Sequence, residues 1–194
     1  MGRILRLRHA FLTHPDIVKT LILLRHAKSS WDDASLDDHD RPLEDRGRRA
    51  APVMAAHLDD QGFTPELVLC STAVRTRETL ELIADDLDAP PVEYDPGLYL
   101  AGPGRLLRAV RAVDGDVKSV MVIGHNPGIH TFALGLCDRS TGSNLRRLER
   151  KFPTAAVAVL EFDVNSWDEI DQGTGRLVHF MRPKDLPSAR RHRL

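Results

Sequence analysis

The sequence predicts an α/β domain, with a mainly parallel sheet covered by helices on both faces and an antiparallel edge built by its last strands. Three observations predict it. Short, nearly continuous apolar runs recur, as strands buried on both faces do. Segments with helical spacing alternate with these runs. The last two runs are joined only by an irregular turn. A chain of 194 residues, 42% hydrophobic and 28% charged, has the size for one such core.

Thr20 to Leu24 (T-L-I-L-L) is the first predicted strand. The stretch from Lys28 to about Arg41 is too rich in Asp and Ser for a helix and reads as a loop. Glu44 to about Asp60 has helical spacing, with Ala50, Val53, Met54 and Leu58 on one side and Gly62 to end it. Glu66 to Cys70 is a second strand, and Ala73 to Leu87 a second helix that Pro90-Pro91 breaks. A short extended piece at Val92 to Tyr94 leads to a helix near Arg105 to Val113. Ser119 to Gly124 is the next strand, and Ile129 to Leu136 the next helix. After a polar stretch, Ala155 to Phe162 and Gly175 to Phe180 read as two strands joined by a turn around Trp167. The domain is expected over residues 20–186, with an arm at 1–19 and a disordered tail at 187–194.

A net charge of −1 offers no field for nucleic acid or anionic lipid. The basic run Arg146 to Lys151 reads as a solvated face. No stretch approaches the ~20 apolar residues of a membrane span. Two distant cysteines, Cys70 and Cys137, fit a reducing cytoplasm. Among nine histidines no close His-x-x-x-His pair and no His/Cys cluster occurs, so no metal site is expected.

Three predicted strands end in polar clusters: Arg25-His26, Ser71 followed by Arg75, and Gly124-His125-Asn126. Ligands of open parallel sheets bind outside the carboxyl ends of strands, so these clusters are expected to meet in one crevice. Arginine forks grip phosphate oxygens. A neutral imidazole with one nitrogen fixed by a hydrogen bond is able to attack phosphorus through the other. Phosphoryl transfer asks mainly for alignment and positive charge, and no metal or cofactor is called for. Bland readings stay open: Arg75 as a helix-surface residue, and His125 as part of an Asn-Pro-Gly turn.

These blocks resemble the histidine phosphatase (phosphoglycerate-mutase-like) superfamily. L-L-R-H-A-K-S resembles its opening signature, and R-P-L-E-D-R-G (Arg41 to Gly47), S-T-A-V-R-T-R-E-T (Ser71 to Thr79) and V-I-G-H-N-P-G (Val122 to Gly128) follow in the family's order. The end of the chain is similar to the SixA-type phosphohistidine phosphatase branch. The resemblance implies a three-layer α/β/α sandwich and His26 as the nucleophile that becomes phosphohistidine. It makes Arg25 and Arg75 phosphoryl ligands, His125 the second active-site histidine, and Asn126 a further ligand contact. L-R-H-A also occurs at Leu7 to Ala10, but only the second copy follows a strand, so His9 is not expected to act.

One departure concerns the proton donor. Many family members carry a glutamate in an L-x-E segment after the second helix; here that stretch reads D-P-G-L-Y-L-A-G, with no carboxylate. A phosphoester misses such an acid more than a phosphoramidate does. Asp32, Asp38 and Asp40 are the candidate replacements, or else solvated loop residues. The leading expectation is therefore a phosphatase whose partner is a phosphohistidine-bearing protein. The alternatives are a phosphatase of small phosphoesters, such as sugar phosphates or nucleotides, and a phospho-ligand binding module.

Overall fold

The computed structural model describes residues 18–138 and 142–186; the expected tail and all but the last two residues of the expected arm lie outside the described residues. Among the described residues six strands form one sheet: β1 (Val18–Arg25), β2 (Leu67–Ser71), β3 (Val92–Asp95), β4 (Ser119–Gly124), β5 (Val157–Asp163) and β6 (Arg176–Met181). Their order is β3-β2-β4-β1-β5-β6. The pairs β1–β4, β4–β2 and β2–β3 are parallel, whereas β5 runs antiparallel to both β1 and β6. Within the antiparallel edge only β5 is reversed, and β6 again runs with the parallel strands.

Alternation along the central strands creates two cores. Leu21 and Leu23 of β1, Val120 and Val122 of β4, and Ala158 and Leu160 of β5 face one side. There they meet Leu106 and Val110 of α3 (Pro103–Arg111), Ile129 and Phe132 of α4 (Gly128–Leu136) and Leu148 of α5 (Ser143–Arg150). Ile22, Leu24, Met121, Ile123, Val157 and Val159 face the other. They pack on Ala51, Met54 and Leu58 of α1 (Asp45–Asp60) and Leu80 of α2 (Val74–Glu81). The result is the expected three-layer α/β/α sandwich. Each fully buried Leu or Ile of β1 stabilises it by about 1.5–3 kcal/mol, which fixes that strand at the centre.

Three elements differ from expectation. β1 starts at Val18, because Lys19 is buried in the sheet, its ammonium donating to Gly115 O and Val117 O beneath Trp167. The second helix ends at Glu81, and a separate 3-10 turn (Asp85–Leu87) carries the chain on to Asp88, whose φ is 60°. The polar stretch before β5 contains α5, a helix of eight residues with Leu148 as its one buried residue, so it left no periodic apolar stripe to detect. Its Arg147 is not simply solvated but pairs with Asp185.

Candidate active site

The register of the sheet brings the three polar clusters together. Arg25, the last residue of β1, lies opposite Gly124, the last of β4, and Cys70 of β2 lies opposite Ile123. His26, Ser71 and His125 therefore leave adjacent strands side by side. Arg75 comes from the first turn of α2, directly after β2. All four of His26, Arg75, His125 and Ser71 are buried.

Hydrogen bonds orient each group. His26 Nδ1 lies 2.7 Å from Ala27 O. A carbonyl only accepts, so Nδ1 carries the hydrogen and Nε2 keeps its lone pair. The His26 backbone N–H donates to Gly124 O at 3.1 Å, and the Ala27 N–H to Thr79 Oγ1 at 3.0 Å, tying the residue to β4 and α2. His125 stands beside His26, with ring centroids 5.2 Å apart, and its Nε2 shares a 2.8 Å hydrogen bond with Ser71 Oγ. Burial lowers the pKa of each imidazole to about 3, so both rings are neutral; the positive charge of Arg75 adds to the effect. Burial, and then Arg75, also pull the Arg25 guanidinium below its ordinary value.

Arg25 NH1 and Asn126 Nδ2 donate to the same acceptor, Phe152 O, at 3.0 and 2.9 Å. Arg25 Nε, His125 Nδ1 and Asn126 Oδ1 are buried without a hydrogen-bond partner among the described residues. Two cations and the unmatched Arg25 Nε–H donor around a neutral imidazole form a place where a compact anion is better solvated than any apolar group. Such a bed is equipped to align a phosphoryl group against a ring nitrogen.

The three aspartates separate. Asp32 accepts from Ser30 Oγ in an exposed turn, and Asp40 pairs with His39. Asp38 alone reaches the cluster. Its Oδ2 accepts from Arg75 NH2 at 2.9 Å and from the Tyr99 hydroxyl at 2.7 Å, and its backbone carbonyl accepts from Arg75 NH1. The Tyr99 hydroxyl, and then Arg75, hold the Asp38 carboxyl below the usual carboxylate range.

Sequence reasoning missed Tyr99. It lies in the L-Y-L segment, and its ring meets His125 edge-on at 5.4 Å. The signal was that position itself, read only for its missing carboxylate. Ala27 O and Phe152 O were invisible to side-chain reasoning, since backbone carbonyls leave no mark in a sequence. Two glycines allow close approaches around the site. A Cβ on Gly47 would collide with Lys28 O just after His26, and one on Gly128 with Ala101 O just after His125.

Comparison with known proteins gives the family. Residues 21–99 match the model of the histidine phosphatase superfamily, branch 1. An uncharacterised protein of Mycobacterium tuberculosis is 36% identical over 163 residues, 83% of this chain and all of that protein. The phosphohistidine phosphatase SixA of Escherichia coli is 31% identical over 173 residues, 88% of this chain and 98% of its own. The structure of a SixA from Nakamurella multipartita, itself named as a putative phosphohistidine phosphatase, superposes with a TM-score of 0.76 at 32% identity, covering 86% of this chain and 96% of its own. The chain thus belongs to the histidine phosphatase superfamily and is a phosphatase with a SixA-like fold.

Proposed function

We propose that the enzyme removes phosphate from phosphohistidine in a partner protein, by way of a phosphoryl group carried on His26. The observation that carries this reading is the Nδ1–H bond from His26 to Ala27 O, which leaves Nε2 as a nucleophile among Arg25, Arg75 and His125. In the first step His26 Nε2 forms a bond to phosphorus as the substrate's P–N bond breaks. Arg25 and Arg75 hold the phosphoryl oxygens, and His125, fixed by Ser71, contributes a hydrogen bond. Asn126 contacts the same oxyanion or holds its neighbours in place. The phosphorylated His26 is an imidazolium, because Nδ1 keeps its hydrogen. Water then attacks phosphorus, the electron pair returns to Nε2, and dihydrogen phosphate leaves and loses a proton to solvent. Neither step requires an acid on the leaving atom, provided that atom is a nitrogen of an imidazolium.

The second reading, hydrolysis of a small phosphoester, has Tyr99 in its favour, since a phenol beside the site is a possible donor to an alkoxide. Its proton is committed to Asp38 Oδ2 at 2.7 Å, which argues for the first reading. Two buried free thiols, Cys70 and Cys137, favour a cytoplasmic setting. Among the described residues no helix is long and apolar enough to cross a membrane.

The test is to present wild-type enzyme with a histidine-phosphorylated protein and with p-nitrophenyl phosphate, both with EDTA present. Faster turnover of the phosphoprotein, with an acid-labile, base-stable phosphoenzyme after rapid quench, is the expected result. Preference for the ester would refute the phosphohistidine reading and leave the family assignment standing.

A further inference from the structure

Contacts run outward from the buried nitrogen of His26 to solvent in a fixed series. The His26 ring neighbours His125 at 5.2 Å, His125 neighbours Tyr99 at 5.4 Å, and the Tyr99 hydroxyl binds Asp38 at 2.7 Å. His26 is buried, while the Asp38 side chain is 44% exposed. A substrate that enters from this exposed end and reacts in line brings its leaving group toward the Asp38 side of phosphorus, opposite the attacking nitrogen.

The two oxygens of Asp38 differ. Oδ2 is saturated by Arg75 and Tyr99. Among the described residues Oδ1 has no hydrogen-bond partner, and Arg41 Nε lies 3.9 Å from it. The groups facing this carboxylate are Arg75 from α2, Tyr99 from the segment after β3, and Arg41 of its own loop, with His26 and His125 beneath. A carboxylate held in this way is a poor proton donor and a good acceptor.

We propose that Asp38 is the residue by which the site selects an imidazole leaving group, its open Oδ1 accepting the N–H on the far ring nitrogen of the substrate's phosphohistidine. This rests on the phosphohistidine reading above and names the residue that recognises that substrate. The arrangement makes the reaction nearly symmetrical: Ala27 O holds the far hydrogen of the incoming His26, and Asp38 Oδ1 that of the departing histidine. The bond from His26 Nε2 to phosphorus forms, the substrate P–N bond breaks, and the electron pair stays on the leaving nitrogen. A ring that entered as imidazolium leaves as neutral imidazole with its far hydrogen in place, and no proton moves. An ester fits this end badly. Its leaving oxygen has no hydrogen to offer and gains negative charge beside a carboxylate.

The experiment compares wild type, Asp38→Asn and Asp38→Glu on a histidine-phosphorylated protein and on p-nitrophenyl phosphate across pH, with circular dichroism to verify folding. Loss of a charge-assisted hydrogen bond lowers the ratio of phosphohistidine to ester activity in Asp38→Asn by about tenfold. Without the neighbouring carboxylate the bound imidazolium loses its proton sooner. The alkaline limb of kcat on phosphohistidine therefore moves down by about one pH unit, while the ester limb stays in place. Asp38→Glu, which keeps the charge, recovers part of the ratio. Equal losses on both substrates with unmoved limbs would mean that Asp38 only steadies Arg75, and would overturn the proposal, as would a Glu variant no better than Asn. A wild type inert toward phosphohistidine is a different failure; it overturns the substrate reading and this inference together.

Discussion

The ring centroids of His26 and His125 lie 5.2 Å apart, and those of His57 and His179 lie 5.1 Å apart. Equal proximity has produced unlike chemistry. In the second pair, which bridges α1 and β6, the two Nε2 atoms meet each other at 2.9 Å. Each ring occupies its partner's reactive nitrogen. In the first pair the nitrogens turn outward instead, His26 Nδ1 to a backbone carbonyl and His125 Nε2 to a serine hydroxyl. That leaves His26 Nε2 with its lone pair, in a ring close enough to Arg75 and Arg25 to feel their charge. On the proposed function, what separates the two pairs is the address of each hydrogen bond, not the distance between rings.

The sharpest way to break this contrast is to truncate both pairs. His26→Ala should lower turnover of a histidine-phosphorylated protein at least about 10³-fold and abolish the trapped phosphoenzyme, as removal of a covalent nucleophile does. The double variant His57→Ala/His179→Ala should stay within about twofold of wild type in kcat, with a lower melting temperature as its main cost. Comparable losses of activity in the two proteins would show that the distinction has been misread. A smaller effect probes orientation alone. Ser71→Ala removes the partner of His125 Nε2 and leaves the ring in place; about a tenfold loss in kcat with little change in KM is expected, measured by steady-state kinetics on the same substrate.

Much of this contrast was legible beforehand, and the illegible part has a physical cause. Arg25-His26, Arg75 and Gly124-His125 stood out because each follows a buried apolar run, and the parallel register of β1, β4 and β2 brings those ends level. The strands themselves were legible because burial on both faces demands continuous apolar residues. The Asp38–Tyr99 bond joins residues 61 apart through an exposed loop, where no periodicity constrains the sequence. α5 escaped because Arg146, Arg147, Glu149 and Arg150 surround its one buried leucine.

The smallest expected effect is on stability. Burial depresses the folded pKa of His26 and His125 to about 3, and burial followed by His57 lowers that of His179. The unfolded chain, with ordinary histidines, binds more protons than the folded one below pH about 6.5. The stability these neutral rings contribute is therefore complete above that pH and is lost as pH falls toward the folded values. Replacing His57 and His179 by Gln should flatten the melting curve between pH 6.5 and 4. The pair is only half-buried, so screening keeps the change to about 2 °C, measurable by calorimetry. An identical pH slope in wild type and variant would remove this pair from the account.

Phe152 shows how a site is shielded from genetic change. Its ring is fully buried against Phe180, at 5.6 Å, and His130, while its carbonyl holds both Arg25 and Asn126. A codon change at this position alters the ring but leaves the oxygen, because every amino acid brings the same carbonyl. A substitution at residue 152 reaches Arg25 and Asn126 only by displacing the backbone. The atom that Arg25 and Asn126 share is thus one that no missense mutation is able to delete.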